Sequence, residues 1–328
     1  MAGSGTEHLR DGAVLSVTDL VVEFPGPRGA VVHAVSGVSF DLVRGETLGI
    51  VGESGCGKTT TGRAVMQLEK ATSGSIELSG SDLTTLSGDQ LRKRRQKMQM
   101  IFQDPVSSLN PSRRVRDIVR EGLDIWGGKG GDFSEERVAE ILEAVGLTGD
   151  DVGQRRAHEF SGGQCQRICI ARALVLDPEV LILDEPVSAL DVSVQAQILN
   201  LLGELRDTFG LTMLFISHDL AVVKNVSDRV MVMYLGKVCE VAETQLLFDA
   251  PTHPYTRALL ASIPGHTLDL PPAAELISGE LPSPLDPPSG CRFRTRCPNA
   301  TDKCTAEEPV LTEIAAGHFV ACHHPHVG

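Results

Sequence analysis

GESGCGKTT, residues 52–60, is the stretch of the sequence that decides the fold. It closes the apolar run ETLGIVG and matches the pattern G-x-x-x-x-G-K-[ST] in the context that this motif requires. Its glycines let backbone N–H groups turn inward, and those donors and the following helix N-terminus bind β- and γ-phosphate oxygens. A glycine-rich turn that only starts a helix is the weaker alternative. The residues that we assign to a bound nucleotide here are Gly52, Ser54, Gly55, Cys56, Gly57, Lys58, Thr59 and Thr60.

A second apolar run, VLILDEP from Val180, ends in two adjacent carboxylates. Ligands of an open parallel sheet bind at the carboxyl ends of its strands, so both acids are placed for chemistry. We expect Asp184 to hold Mg²⁺, directly or through water, and Glu185 to polarise the attacking water as a general base. An ordinary strand followed by a turn is the alternative for this run taken alone.

The composition and the predicted secondary structure change along the chain. Residues 14–102 contain short β-runs, whereas residues 104–160 are polar and predict helices, one of them capped by Ser134 and stopped by Gly146. From 161 to 250 helix and strand alternate, with a helix expected from about Val192 to Phe209 between VLILD and LTMLFIS. This alternation predicts an α/β fold with a parallel sheet. After Pro251 the chain becomes rich in proline, and we expect LPPAAELISGELPSPLDPPSG to hold neither a helix nor a central strand.

Charge and composition exclude some classes of function. The 328-residue chain carries a formal net charge of -13, which disfavours a protein that works on bare nucleic acid. It has no run of about eighteen apolar residues, as a spanning helix needs, and its N-terminus lacks the apolar core of a signal peptide. We therefore expect the chain in the cytosol, with any membrane association made through a partner.

FSGGQ, residues 160–164, narrows the class of NTPase, because it resembles the LSGGQ signature of ABC ATPases. A helix cap is the alternative for this motif. Other landmarks of that family follow in order: Gln103 resembles the Q-loop glutamine, SALD at 188–191 the D-loop, and His218 the switch histidine. The resemblance covers about residues 14–250. It implies a RecA-like P-loop core with an N-terminal antiparallel β-subdomain and a helical subdomain at about 104–165.

The same resemblance implies roles for individual residues. Two such subunits are expected to close around two ATP molecules, each signature loop capping the nucleotide that the other subunit's phosphate loop holds. Phe24 is our choice for the residue that stacks on adenine, with His33 as the alternative. The implied sets are the catalytic residues Glu185, His218 and Gln103, the Mg²⁺ ligands Thr59, Gln103 and Asp184, and the residues acting on the partner's ATP, Ser161, Gly162, Gly163, Gln164 and Asp191.

HPYT, residues 253–256, resembles the segment that opens the C-terminal region of oligopeptide/dipeptide permease ATPases. The sequence SALDVSVQAQ resembles that of their F-type subunit more closely than that of its D-type partner. We therefore divide the chain into an ATPase domain, 1–250, and a C-terminal region, 251–328. The expected partners are a second, D-type ATPase, two transmembrane permease subunits and an extracytoplasmic peptide-binding protein, which place the chain on the cytoplasmic face of the membrane. Nickel importers use closely similar ATPases, so the cargo stays open.

The C-terminal region also carries four closely spaced cysteines, and the segment around them resembles this family's metal motif. Related peptide importers carry a [4Fe–4S] cluster there; zinc, free thiols and disulfides are the alternatives. Either metal would supply folding energy to a proline-rich segment with little core of its own. The expected ligands are Cys291, Cys297, Cys304 and Cys322.

Two functions outside transport compete with this interpretation. Soluble ABC proteins of DNA repair or translation usually carry two cassettes, a long coiled-coil insertion or basic arms, and the sequence has none of these. The other is a metal-binding or redox-sensing module with a degenerate ATPase. It is disfavoured because Lys58, Asp184, Glu185 and His218 are all intact.

Overall fold

The computed structural model describes residues 5–126, 135–149, 151–263, 268 and 270–326. These residues form two compact units, one of Met1–Leu86 with Leu214–Gly328 and the other of Ser87–Met213. Numbered along the chain, the strands are β1 (Leu15–Pro25), β2 (Val31–Leu42), β3 (Thr47–Val51), β4 (Ser73–Leu78), β5 (Ser81–Asp82), β6 (Met98–Ile101), β7 (Val180–Asp184), β8 (Thr212–Ile216), β9 (Arg229–Tyr234), β10 (Lys237–Glu243), β11 (Thr312–Ala315) and β12 (His318–Val320). The helices are α1 (Lys58–Val65), α2 (Gly88–Arg95), α3 (Val115–Trp126), α4 (Glu135–Ala144), α5 (Gly162–Leu174), α6 (Val192–Phe209), α7 (Leu220–Val226), α8 (Thr244–Asp249), α9 (Pro254–Ala261), α10 (Ala273–Leu276) and α11 (Asp302–Ala306).

The first unit contains an antiparallel sheet in the order β2-β1-β4-β5. Strand β1 lies in its middle, with Val17 opposite Phe40 on one side and Ile76 on the other. Apolar and polar residues alternate along most of β1, and Leu15, Val17, Leu20 and Val22 are buried. Such alternation is expected of a strand with one face on the core and one toward solvent.

A second sheet passes through the first unit in the order β11-β12-β10-β9-β3, with Leu214–Ile216 of β8 beside β3. Strands β3 and β9 run parallel, with Ile50 opposite Met231. Both strands are buried along their whole length, which explains their continuous apolar sequences. The C-terminal hairpin β11–β12 pairs with β10, placing Val320 opposite Glu240.

The second unit contains the parallel pair β6 and β7 and the helices around it. Met98 lies opposite Val180, and Ile101 lies opposite Leu183. Helix α4 begins at Glu135 and buries Val138, Ile141 and Leu142, which recur at helical spacing, whereas Ser134, the predicted cap, lies outside the described residues. Helix α6 has the predicted bounds.

The proline-rich stretch after residue 269 differs from its prediction in one respect. It contains the one-turn helix α10, where Pro272 precedes Ala273 and the N–H of Ile277 closes the turn on the carbonyl of Ala273. Proline is compatible with a helix start, so the expectation that this stretch holds no helix was wrong. Across the described ranges, no helix combines the length and the apolar character that crossing a membrane demands.

Candidate nucleotide-binding site

The phosphate loop joins β3 to α1, whose first residue is Lys58. The backbone of the loop requires two of its glycines. A Cβ on Gly57, which has φ 101°, would lie 2.2 Å from the carbonyl oxygen of Ala34. A Cβ on Gly52 would lie 2.1 Å from the carbonyl oxygen of Met233. Since real Cβ contacts are never that short, the loop keeps this path only with glycine at both positions.

The Lys58 side chain folds back across the loop. Its ammonium group donates to the carbonyl oxygens of Gly52 at 2.7 Å and Glu53 at 3.0 Å, and the residue is only 5% exposed. Cys56 lies under it, with Sγ 3.8 Å from Nζ. Burial raises the pKa of the Cys56 thiol, partly opposed by the nearby ammonium, so the group remains a neutral thiol at pH 7. The loop therefore holds the positive charge of Lys58 at the start of α1, where a phosphate would bind.

His218 follows β8 in the same unit as the loop. The preceding residue, Ser217, donates its N–H to the carbonyl of Ile50 at 3.0 Å, so β8 ends level with the end of β3. Asp219 caps α7 and fixes the turn on the other side. His218 itself is exposed. Its backbone is held on both sides while the ring stands at the surface.

The two predicted carboxylates lie at the end of β7 in the second unit. Asp184 is 2% exposed, and Glu185 has a left-handed backbone with φ 49°. Such a conformation is costly for a non-glycine residue. Glu185 accepts a hydrogen bond from Gln103, Nε2 to Oε2, at 3.0 Å. The structure thus brings together the predicted general base and the predicted Q-loop glutamine, 82 residues apart in the chain.

The predicted D-loop continues from Glu185 in the second unit. The Ser188 hydroxyl donates to the carbonyl of Glu185 at 3.0 Å. Asp191 caps α6, accepting from the N–H of Val194 at 3.0 Å, and its bonds from Ser193 and Val194 lower its pKa. Asp191 is therefore an anion at neutral pH, exposed at the start of a helix.

The signature motif forms the start of α5. Ser161 is the cap: its N–H donates to Oε1 of Gln164 at 3.0 Å, and its hydroxyl accepts from the N–H of Gln164 at 3.4 Å. A Cβ on Gly163 would lie 2.5 Å from Cγ1 of Val194, while the same atom on Gly162 would meet nothing closer than 3.6 Å. Ser161 is exposed. The helix-cap role and an exposed hydroxyl at a helix N-terminus, suited to an anion, are therefore both present.

The two candidates for adenine stacking have different surroundings. Phe24 is half-buried in β1, opposite Val32. His33 places Nδ1 2.8 Å from a carboxylate oxygen of Glu23, and its N–H donates to the carbonyl of Pro284. The choice of Phe24 over His33 stays a prediction.

The four C-terminal cysteines line one small pocket, which they share with His253 and Phe293. All four are free thiols. Burial raises the pKa of Cys291 to about 11 and that of Cys322 to about 12. Within the described part of the chain, however, no three histidine, cysteine or acidic side chains are grouped so that they could hold a metal ion. The donor chemistry fits a thiolate-bound group, while the sulfurs do not converge on a single-ion site.

Three residues that the sequence did not assign to the site contact or belong to the phosphate loop. The carboxylate of Glu53 pairs with the guanidinium of Arg296 at 2.6 Å. The N–H of Glu53 donates to the hydroxyl of Tyr255 at 2.8 Å. The HPYT motif marked Tyr255 only as a family feature, and no local pattern distinguishes Arg296 from the other arginines of its segment.

A phosphate loop between β3 and α1, paired carboxylates after β7 and a serine–glycine cap on α5 define the class of protein, the ATPase of the ABC type. The family model described as ABC transporter matches residues 35–188. A second model, the oligopeptide/dipeptide transporter C-terminal region, matches residues 239–304. The chain belongs to this family of ABC transporter ATP-binding proteins, as its sequence predicted.

Curated relatives agree over nearly the whole chain. The oligopeptide transport ATP-binding protein AppF of Bacillus subtilis is 54% identical over 89% of this chain and 89% of its own. OppF of Salmonella typhimurium, with the same description, is 48% identical over 94% and 95%. A putative peptide import ATP-binding protein of Brucella ovis is 51% identical over 94% and 97%.

Solved structures confirm the fold class. CbiO1 of Clostridium perfringens, part of the ABC transporter complex cbiONQ, has a TM-score of 0.64 at 29% identity, covering 73% of this chain and 92% of its own. The ATP-binding cassette MJ0796, in a dimeric post-hydrolysis state with ADP and Pi, has a TM-score of 0.63 at 26% identity, covering 70% and 98%.

Proposed function

We propose that this chain is the ATP-hydrolysing subunit of an importer for dipeptides or oligopeptides. The observation that carries the proposal is the hydrogen bond between Gln103 and Glu185, which orients a carboxylate for work on water in a chain whose phosphate loop is intact. The cargo follows from relatives about half identical over most of their length that are described as peptide or oligopeptide transport ATP-binding proteins.

The chemistry divides among the chain's own groups. Lys58 and the loop N–H groups bind the β- and γ-phosphates. Mg²⁺, when bound, would neutralise developing charge on the phosphate oxygens, and the groups that would hold it are the hydroxyl of Thr59, the carboxylate of Asp184 and the amide oxygen of Gln103. Glu185 accepts a proton from the attacking water, and His218 donates to the γ-phosphate.

The signature residues act on the nucleotide of a second ATPase subunit. The signature motif presents a hydroxyl and N–H groups at an exposed helix start; its residues are Ser161, Gly162, Gly163 and Gln164. Asp191 carries its negative charge at the cap of α6. The dimeric state of the related cassette MJ0796 supports this arrangement. By family, the partner is a distinct D-type subunit, and the pair associates with two permease subunits on the cytoplasmic face, served by an extracytoplasmic peptide-binding protein.

The four C-terminal cysteines hold a [4Fe–4S] cluster in this proposal. In a cluster each thiolate binds a different iron, so four sulfurs around one pocket suffice. Zinc instead requires every sulfur about 2.3 Å from one centre. Ligation would give the tail folding energy. Anaerobic purification should yield iron and acid-labile sulfide in equal amounts, lost in Cys304→Ser; stoichiometric zinc in place of iron contradicts the cluster.

The transport role is tested by reconstituting the chain with its permease neighbours in proteoliposomes. We expect low ATPase activity from the chain alone, stimulation in the complex, and uptake of labelled peptides that stops when Glu185→Gln is introduced. Uptake of Ni²⁺ without peptide uptake would assign the alternative cargo. Failure to co-purify with any polytopic membrane subunit would refute a transport role.

A further inference from the structure

The C-terminal region reaches the phosphate loop directly, at Glu53. This residue follows the first glycine of the loop, and its carbonyl oxygen accepts a hydrogen bond from the ammonium of Lys58 at 3.0 Å. Its carboxylate receives two N–H groups from Arg296, Nη1 to Oε2 at 2.6 Å and Nη2 to Oε1 at 3.2 Å. Two parallel donors on one carboxylate form the bidentate geometry that fixes both distance and orientation.

Arg296 is itself held in place. The residue is 8% exposed, and its guanidinium lies 5.8 Å from the ring centroid of Tyr234. Three residues earlier, Phe293 packs edge-on against Tyr234 at 5.2 Å. The neighbouring Arg292 donates to the carbonyl of Leu235 and to the hydroxyl of Ser36. Side chains from both halves of the segment between Cys291 and Cys297 thus anchor it to the end of β9 and to β2 within the first unit.

We propose that Arg296 is a positioning residue for ATP binding, which it serves by neutralising and orienting Glu53 of the phosphate loop. This inference rests on the proposed ATPase function. An unpaired carboxylate in the loop would repel the triphosphate, because like charges a few ångströms apart at a protein surface interact appreciably. The guanidinium neutralises the carboxylate and so removes that repulsion. The bidentate pair also holds the Glu53 side chain, and with it the backbone of the loop, in the observed position.

The electrostatic role makes a specific kinetic prediction for the complex with its permease partners. Arg296→Ala should raise the KM for ATP about tenfold and leave kcat within about twofold, because the charge affects ground and transition states alike. The increase should shrink as salt is raised from 50 mM to 500 mM, since salt screens partly exposed charges. Where Arg296→Ala does not fold, Arg296→Gln keeps the length of the side chain and serves the same test.

Two further variants separate positioning from general stability. Adding Glu53→Gln to Arg296→Ala removes the repulsive charge and should restore most of the KM. Arg294→Ala is the matched control: it removes an arginine two residues away whose hydrogen bonds go to Ser289, and its KM should stay that of the wild type.

The outcomes distinguish this inference from the proposed function. A wild-type complex that hydrolyses ATP while Arg296→Ala retains its KM would overturn the inference and leave the ATPase assignment standing. A double variant worse than Arg296→Ala would equally overturn it, because two losses that add indicate only structural damage. A wild-type complex with no ATPase activity would overturn both.

Discussion

Replacing Tyr255 by phenylalanine removes one hydroxyl group and isolates one hydrogen bond of the phosphate loop. That hydroxyl accepts the N–H of Glu53 at 2.8 Å, and Tyr255 is fully buried. The ring packs against Tyr234 at 4.8 Å and Phe293 at 5.4 Å, contacts that phenylalanine can keep. A backbone donor left without its acceptor costs about 1–3 kcal/mol, and we take about 2 kcal/mol for this partly buried group.

Hydrogen exchange measures that loss at the loop itself. If opening of the loop breaks this bond, about 2 kcal/mol corresponds to roughly 30-fold faster exchange in peptides that cover Glu53. Tyr234→Phe is the matched control, because it removes a neighbouring buried hydroxyl that lies beside Arg296, whereas the N–H of Glu53 donates to Tyr255. Exchange that is unchanged in Tyr255→Phe, or raised equally in both variants, would refute the reasoning.

Three other changes have expected outcomes. Glu185→Gln should lower kcat for ATP by about a hundredfold or more, because the general base is lost; phosphate release from the complex measures it, and normal turnover would contradict the assignment. Gly163→Ala should destabilise the fold by about 1–3 kcal/mol in thermal unfolding, since its Cβ would lie 2.5 Å from Val194, whereas Gly162→Ala should be neutral or stabilising; equal stabilities would show that Val194 shifts freely. Burial lowers the pKa of His253 from 6.5 to about 4, so the unfolded chain binds a proton that the folded chain does not. The free energy of unfolding should therefore fall between pH 6.5 and pH 4, by up to roughly 3 kcal/mol, and less steeply in His253→Asn, which keeps an acceptor for the helix cap; parallel pH profiles would contradict this origin.

Elements whose ends depend on residues adjacent in the chain could be predicted from local sequence patterns. Helix α1 begins at Lys58 and β7 ends at Asp184, as the motif and the apolar run indicated, because both depend on neighbours in the chain. Helix α6 has the predicted bounds, and the structure supplies the reason: Asp191 caps its start, and Gly210, in the left-handed conformation, ends it.

Contacts between distant segments were beyond the sequence. Arg296 and Glu53 are 243 residues apart, and an arginine in a basic segment carries no sign of its partner. The same is true of Glu240, a buried carboxylate that accepts from the N–H groups of Thr252 and His253 and approaches His318 at 2.6 Å. The sequence shows a charged residue within a strand, and only tertiary structure supplies the groups that surround it.

The hairpin β11–β12 has a consequence for the solubility of the protein. Without it, β10 would expose a row of unpaired N–H and C=O groups flanked by apolar side chains such as Val238 and Val241, which is a template for strand-to-strand aggregation. With the hairpin in place, the edge strand of the sheet is β11, which has four residues, carries Glu313 and is largely open to water. A short, charged edge strand pairs poorly with other chains, so the β11–β12 hairpin protects the molecule from strand-to-strand aggregation.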